Sequence, residues 1–109
     1  MFQINREKDA LHFARLVRNK VISPKELVAE AIDRIKKENP ALNAVIHPRF
    51  EAALKEAESR DFTGKPFGGV PILVKDMGQT LVGEPSTSGS VLLENHKSEQ
   101  TSHYTQKLL

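Results

Sequence analysis

A chain of 109 residues with 39% apolar and 28% charged side chains has the composition of one ordinary soluble domain with a modest core. Sixteen Lys and Arg against fourteen Asp and Glu give a net charge of +2, interspersed rather than gathered into a stripe. With Phe2, Phe13, Phe50, Phe62, Phe67 and Tyr104 scattered, no direct nucleic-acid surface is outlined, and the absence of cysteine excludes disulfides, a thiolate nucleophile and the usual zinc sites.

The first residues, 1–9, contain no apolar signal core, and no uncharged apolar run is long enough to cross a bilayer. The reading is a cytoplasmic protein without a membrane anchor. From Asp9 to Asn19, the spacing of Ala10, Phe13, Ala14 and Val17 predicts an amphipathic helix. A second helix is announced by Ser23 as cap, Pro24 at the first helical position and Glu26 as the acid of a capping box. Its core face is Leu27, Val28, Ala31, Ile32 and Ile35.

Asn39-Pro40 is expected to stop that helix, and a short extended stretch is predicted near Leu42 to Ile46. Pro48 should open a third helix carrying Phe50, Ala53, Leu54 and Ala57 on one face, with Glu51 and Lys55 paired, fading near Ser59 to Asp61. The segment 62–69 mixes breakers with aromatics and reads as an ordered connection that tucks its phenylalanines inward.

Gly69-Val70-Pro71-Ile72-Leu73-Val74 then reads as a strand buried on both faces of a parallel or mixed sheet, closing on Lys75 and Asp76. Ser86-Thr87-Ser88-Gly89-Ser90 is a small polar cluster without a Gly-x-Ser-x-Gly elbow, better suited to turns and caps than to a nucleophile. Thr101 to Leu109 looks like the start of another helix with no stop signal, so the chain reads as truncated. Residues 1–109 form one domain or one part of one.

Lys75 has two readings on pattern. Burial at the end of an apolar run would disfavour its ammonium form and suit it to act as a general base or amine nucleophile. Alternatively its stem covers apolar surface while the ammonium reaches water, and pattern alone favours this plainer arrangement. Asp76 is read as structural, binding loop amides and shaping the turn past the strand. The histidines His12, His47, His96 and His103 show no metal-ligand spacing, and no phosphate-loop or dinucleotide fingerprint occurs.

Taken together, Leu42-Asn43-Ala44-Val45-Ile46, Phe67-Gly68-Gly69-Val70-Pro71-Ile72-Leu73-Val74-Lys75-Asp76 and Ser86-Thr87-Ser88-Gly89-Ser90 resemble the amino-terminal region of the amidase signature family. The resemblance runs over about residues 9 to 109 and implies an α/β fold with a mixed central sheet. This chain would supply the amino-terminal helices and first strands, as a single amino-terminal segment of a larger amidase domain, and would be incomplete by itself. It places Lys75 as the catalytic base of a Ser–cis-Ser–Lys mechanism that cleaves C–N amide bonds, with no metal or organic cofactor.

The Gly-Ser-rich segment carrying both serines and the oxyanion-hole amides would lie downstream of Leu109, so residues 1–109 alone are expected to be inactive. Met77-Gly78 departs from the tRNA-amidotransferase pattern and favours a standalone amidase with a small-molecule amide substrate. Two other readings stand beside it: a glutaminase subunit of a tRNA-dependent amidotransferase, and a small helical protein-binding module that docks a partner through Leu27, Ile32 and Ile35. An unpaired strand at Val70 to Val74 would also favour self-association.

Overall fold

Three of the four α-helices among the described residues begin where a short polar side chain meets the first free amides, and the third in chain order, with Arg49 at its cap position, begins without such a bond. In the computed structural model, which describes residues 2–109, Asp9 caps α1 (Ala10–Arg18) by accepting the His12 N–H at 2.8 Å. Ser23 and Glu26 form the reciprocal capping box of α2 (Pro24–Leu42), with bonds of 3.1 and 2.8 Å. Next come α3 (Phe50–Ser59), a 3-10 turn at Val91–Leu93 and α4 (His103–Leu108), whose cap Ser102 accepts from the Thr105 N–H. Contacts divide the chain into two compact units, Met1–Pro71 and Ile72–Leu109.

The first unit holds the helical core. Phe13, Ile22 and Leu27 are buried together, with Phe2, Ile4, Leu16, Val17 and Val70 packed around them. A second cluster, Val28, Ile32 and Ala57 flanked by Phe50, Ala53 and Leu54, joins α2 to α3. The apolar periodicity of α2 thus serves two neighbours at once, because residues one position apart point about 100° apart around the helix. Among the described residues, no helix is long and apolar enough to cross a membrane.

Pro40 does not stop α2. Its missing N–H removes one bond from the final turn, and the helix continues to Leu42 before Asn43 adopts left-handed backbone with φ 49°. The Asn43 N–H closes on the Asn39 carbonyl at 2.7 Å. The Asn39 side chain then brackets Val45, accepting its N–H at 2.8 Å and donating to its carbonyl at 2.9 Å. An amide side chain here takes the place of a neighbouring strand. Glu51 and Lys55 are both exposed, and the charge pairing of α3 runs instead from Arg49 to Glu56, at 3.2 and 2.8 Å, and from Lys25 to Glu58, at 2.6 Å.

The expected strand is absent: residues 70–74 have no regular structure, and the described residues contain no strand, only an isolated antiparallel bridge between Pro85 and Lys97. Ile72 and Leu73 are 47% and 66% exposed, not buried on both faces. The physical reason is that a strand exists only as part of a ladder, and no other described segment pairs with this one. The open strand edge that self-association would use is likewise absent among the described residues. Phe67, expected to turn inward, is exposed, while Phe62 is half-buried beneath the Arg60 guanidinium at 5.7 Å.

Gly69 anchors the end of the first unit. Its φ is +82°, and an added Cβ would lie 3.0 Å from Pro24 Cγ and 3.1 Å from Val17 Cγ1. Gly69→Ala is therefore expected to destabilise the chain by more than about 1 kcal/mol, read as a lower urea midpoint.

The Arg49 hydrogen bonds hold the Glu56 carboxyl below the ordinary glutamate value of 4.5. A lowered folded-state value means the pair stabilises above the ordinary value, and that contribution disappears as pH falls through the folded-state one. Because the pair is only partly buried and solvent still screens it, Glu56→Gln should cost no more than about 1 kcal/mol at neutral pH. Urea midpoints of the wild type and Glu56→Gln should converge on acidification.

Candidate functional site

Past Pro71 the chain enters the second unit through Ile72, Leu73 and Val74 and turns at residues 76–78. Gly78, with φ +72°, supplies the left-handed position of that turn. Lys75 stands immediately before it. The Lys75 N–H donates to Gln79 Oε1 at 3.1 Å, closing the turn from the far side. Lys75 itself is exposed, so the burial that a strand would have imposed does not occur within this chain.

Asp76 performs the structural work read from the sequence. Its Oδ1 accepts the Thr87 N–H at 2.7 Å, its Oδ2 accepts the Thr87 hydroxyl, and its main-chain carbonyl accepts the Ser88 N–H at 3.0 Å. Three bonds therefore tie the residue after Lys75 to the hydroxyl-rich turn eleven residues on. Thr87 is only 7% exposed, and bonds from both an amide and a hydroxyl to one carboxylate are charge-assisted.

The turn 86–90 behaves as a connector. Ser88 and Gly89 both have positive φ, 51° and 69°, and Ser90 precedes the 3-10 turn at Val91–Leu93 without a side-chain capping bond. On the other side of that turn the chain returns alongside itself. Ser86 N–H donates to the His96 carbonyl at 3.1 Å, Ser98 N–H to Glu84 at 3.0 Å and Gly83 N–H to Ser98 at 2.8 Å. The fully buried Thr105 and its cap Ser102 fix α4, while Thr101 accepts the Val82 N–H at 3.0 Å through its hydroxyl.

The structure thus joins Asp76 to the 86–90 cluster and leaves Lys75 projecting beside that junction. Thr87 and Gln79 are the participants that the sequence alone does not single out. Their signal is faint: a threonine among serines and a glutamine four residues past a lysine, each given a role only by the fold of the turn. Among the described residues, no group of three or more His, Asp or Glu side chains is placed to hold a metal ion.

The amidase family model matches residues 26–109 of the chain. Over 103 residues it is 46% identical to a lipoamidase of Enterococcus faecalis, covering 94% of this chain and 14% of that protein. It is 33% identical over 110 residues to a 6-aminohexanoate-cyclic-dimer hydrolase of Pseudomonas sp., covering 99% of this chain and 22% of that protein. One subunit of the glutamyl-tRNA(Gln) amidotransferase of Oleidesulfovibrio alaskensis is 42% identical over 79 residues, covering 69% of this chain and 16% of the relative. The chain therefore spans less than a quarter of the length of these relatives. No solved structure matches it.

Removing the carboxylate by Asp76→Ala leaves the buried Thr87 hydroxyl and amide without their acceptor, at a cost of about 1–3 kcal/mol. Amide exchange should accelerate at Thr87 and Ser88, while the α2–α3 amides of the other unit keep their protection. Unchanged exchange at Thr87 would contradict the bonding described.

Proposed function

The chain belongs to the amidase family, and on that premise we propose that it is the amino-terminal part of an enzyme that hydrolyses amide C–N bonds, with Lys75 as general base. The observation that carries the reading is the placement of Lys75. It lies at the entrance to a turn closed by Gln79 and clasped to Thr87, with its side chain exposed and available to another group.

In the proposed reaction the neutral Lys75 amine accepts a proton from a bridging serine, which takes one from the nucleophilic serine. The nucleophile adds to the amide carbonyl. Collapse of the tetrahedral intermediate breaks the C–N bond, and the proton passes back through the same relay to the leaving amine. Water then adds to the acyl-enzyme by the reverse proton path and releases the acid. Both serines and the oxyanion-hole amides belong, in this reading, to residues numbered after Leu109.

The substrate class is a small or aliphatic amide, handled without partner subunits. Support comes from the lipoamidase and the cyclic-dimer hydrolase, each of which aligns with nearly all of this chain. The alternative, a glutaminase subunit of a tRNA-dependent amidotransferase, rests on likenesses that cover 68% to 86% of the chain. Against the protein-binding module, two of its three docking side chains, Leu27 and Ile32, are buried inside the first unit, while Ile35 is half-buried.

In the full-length enzyme, Lys75→Ala should lower turnover of a simple acyl amide by roughly 10⁴-fold or more, with the circular dichroism spectrum unchanged. Lys75→Arg should not restore it, since a guanidinium holds its proton throughout the working pH range. Residues 1–109 alone should show no turnover. Wild-type activity in Lys75→Ala would remove Lys75 from the mechanism, and a requirement for other subunits would favour the amidotransferase.

A further inference from the structure

We propose that Thr87 and Asp76 act as a positioning pair for Lys75, with the buried threonine fixing the carboxylate and thereby the turn that aims the lysine. The inference rests on the reading of Lys75 as the base. It concerns residues argued to act through Lys75 and not on the substrate themselves.

An exposed lysine side chain is rich in rotamer freedom, so its aim depends first on where its own backbone is held. At Lys75 that backbone precedes a turn containing Gly78, a residue whose conformational freedom gives the turn little stiffness of its own. Stiffness comes from outside the turn. Gln79 Oε1 takes the Lys75 N–H at 3.1 Å, and Asp76 is locked by Thr87 through the amide, at 2.7 Å, and through the hydroxyl. The Ser88 N–H adds a third bond, to the Asp76 carbonyl at 3.0 Å.

Thr87 is 7% exposed, so water cannot readily substitute for the donors it supplies. Two donors from one buried residue, meeting both oxygens of one carboxylate, fix its rotation as well as its distance. Releasing either bond lets the Lys75 backbone shift, and a misplacement of about 1 Å in a catalytic array can cost roughly 100-fold in rate.

The test uses the full-length enzyme and hydrolysis of a short-chain acyl p-nitroanilide. Thr87→Val keeps the N–H bond and the side-chain volume but deletes the hydroxyl bond. It should lower kcat about 10-fold with KM changed less than about twofold. Thr87→Ser, which retains both donors, should keep the wild-type kcat. In a Lys75→Ala background, Thr87→Val should cause no further loss, because it acts through the lysine.

An unchanged kcat in Thr87→Val, or an equal loss in both backgrounds, would overturn the inference and leave the clasp a stabilising contact. Lys75→Ala with wild-type activity would overturn the reading beneath it, a result separable from the first. Should Thr87→Val not fold, Asp76→Asn is the second variant. Its amide keeps an acceptor for the Thr87 N–H and weakens the clasp without opening a cavity, and the same kcat loss and background dependence are expected.

Discussion

The constraint on which the described residues depend is that backbone amides outside the helices must find acceptors without a sheet among those residues to provide them. Side chains fill part of that place, beside backbone carbonyls such as those of His96, Ser98 and Glu84. Asn39 pairs with both polar groups of Val45, Gln79 takes the Lys75 N–H, Asp76 takes the Thr87 N–H, and the Thr101 hydroxyl takes the Val82 N–H. Each of these substitutes a single fixed acceptor for a ladder neighbour. The chain from residue 70 onward is consequently built from turns tied at specific points, in contrast to the helical unit, where packing of Phe13, Leu27 and Ile32 sets the geometry.

This difference explains what could be read in advance. Helix beginnings were legible because their determinants are local: Ser23, Pro24 and Glu26 lie within four residues and form the capping box that their order announces. The end of α2 was less legible. Pro40 is felt only through the bond it forfeits near the end of the helix, and the reversal is set by Asn43 and by Asn39 reaching six residues ahead. A local breaker signal states that the helix ends nearby, not which residue turns.

The apolar run at residues 70–74 shows the other limit. Its composition matches a buried strand, but composition supplies only the side-chain half of a strand, and pairing supplies the backbone half. Val70 packs against the first core while Ile72 and Leu73 remain exposed. The role of Asp76 was legible because an aspartate after such a run commonly binds loop amides. Its partner was not, since nothing at positions 86–90 distinguishes Thr87 from the neighbouring serines until burial selects it.

A proton-accepting lysine needs both a location and an environment, and these are separable here. Location is set inside residues 72–109 by short-range bonds around the turn. Environment is not: Lys75 is exposed, as are Ile72, Leu73 and Met77 close to it in sequence. Water favours an ammonium over an amine, so exposure alone does not make a base. In the proposed enzyme these apolar side chains give further protein a surface to cover. Covering them would withdraw water from the lysine while the Asp76–Thr87 clasp keeps its backbone in place.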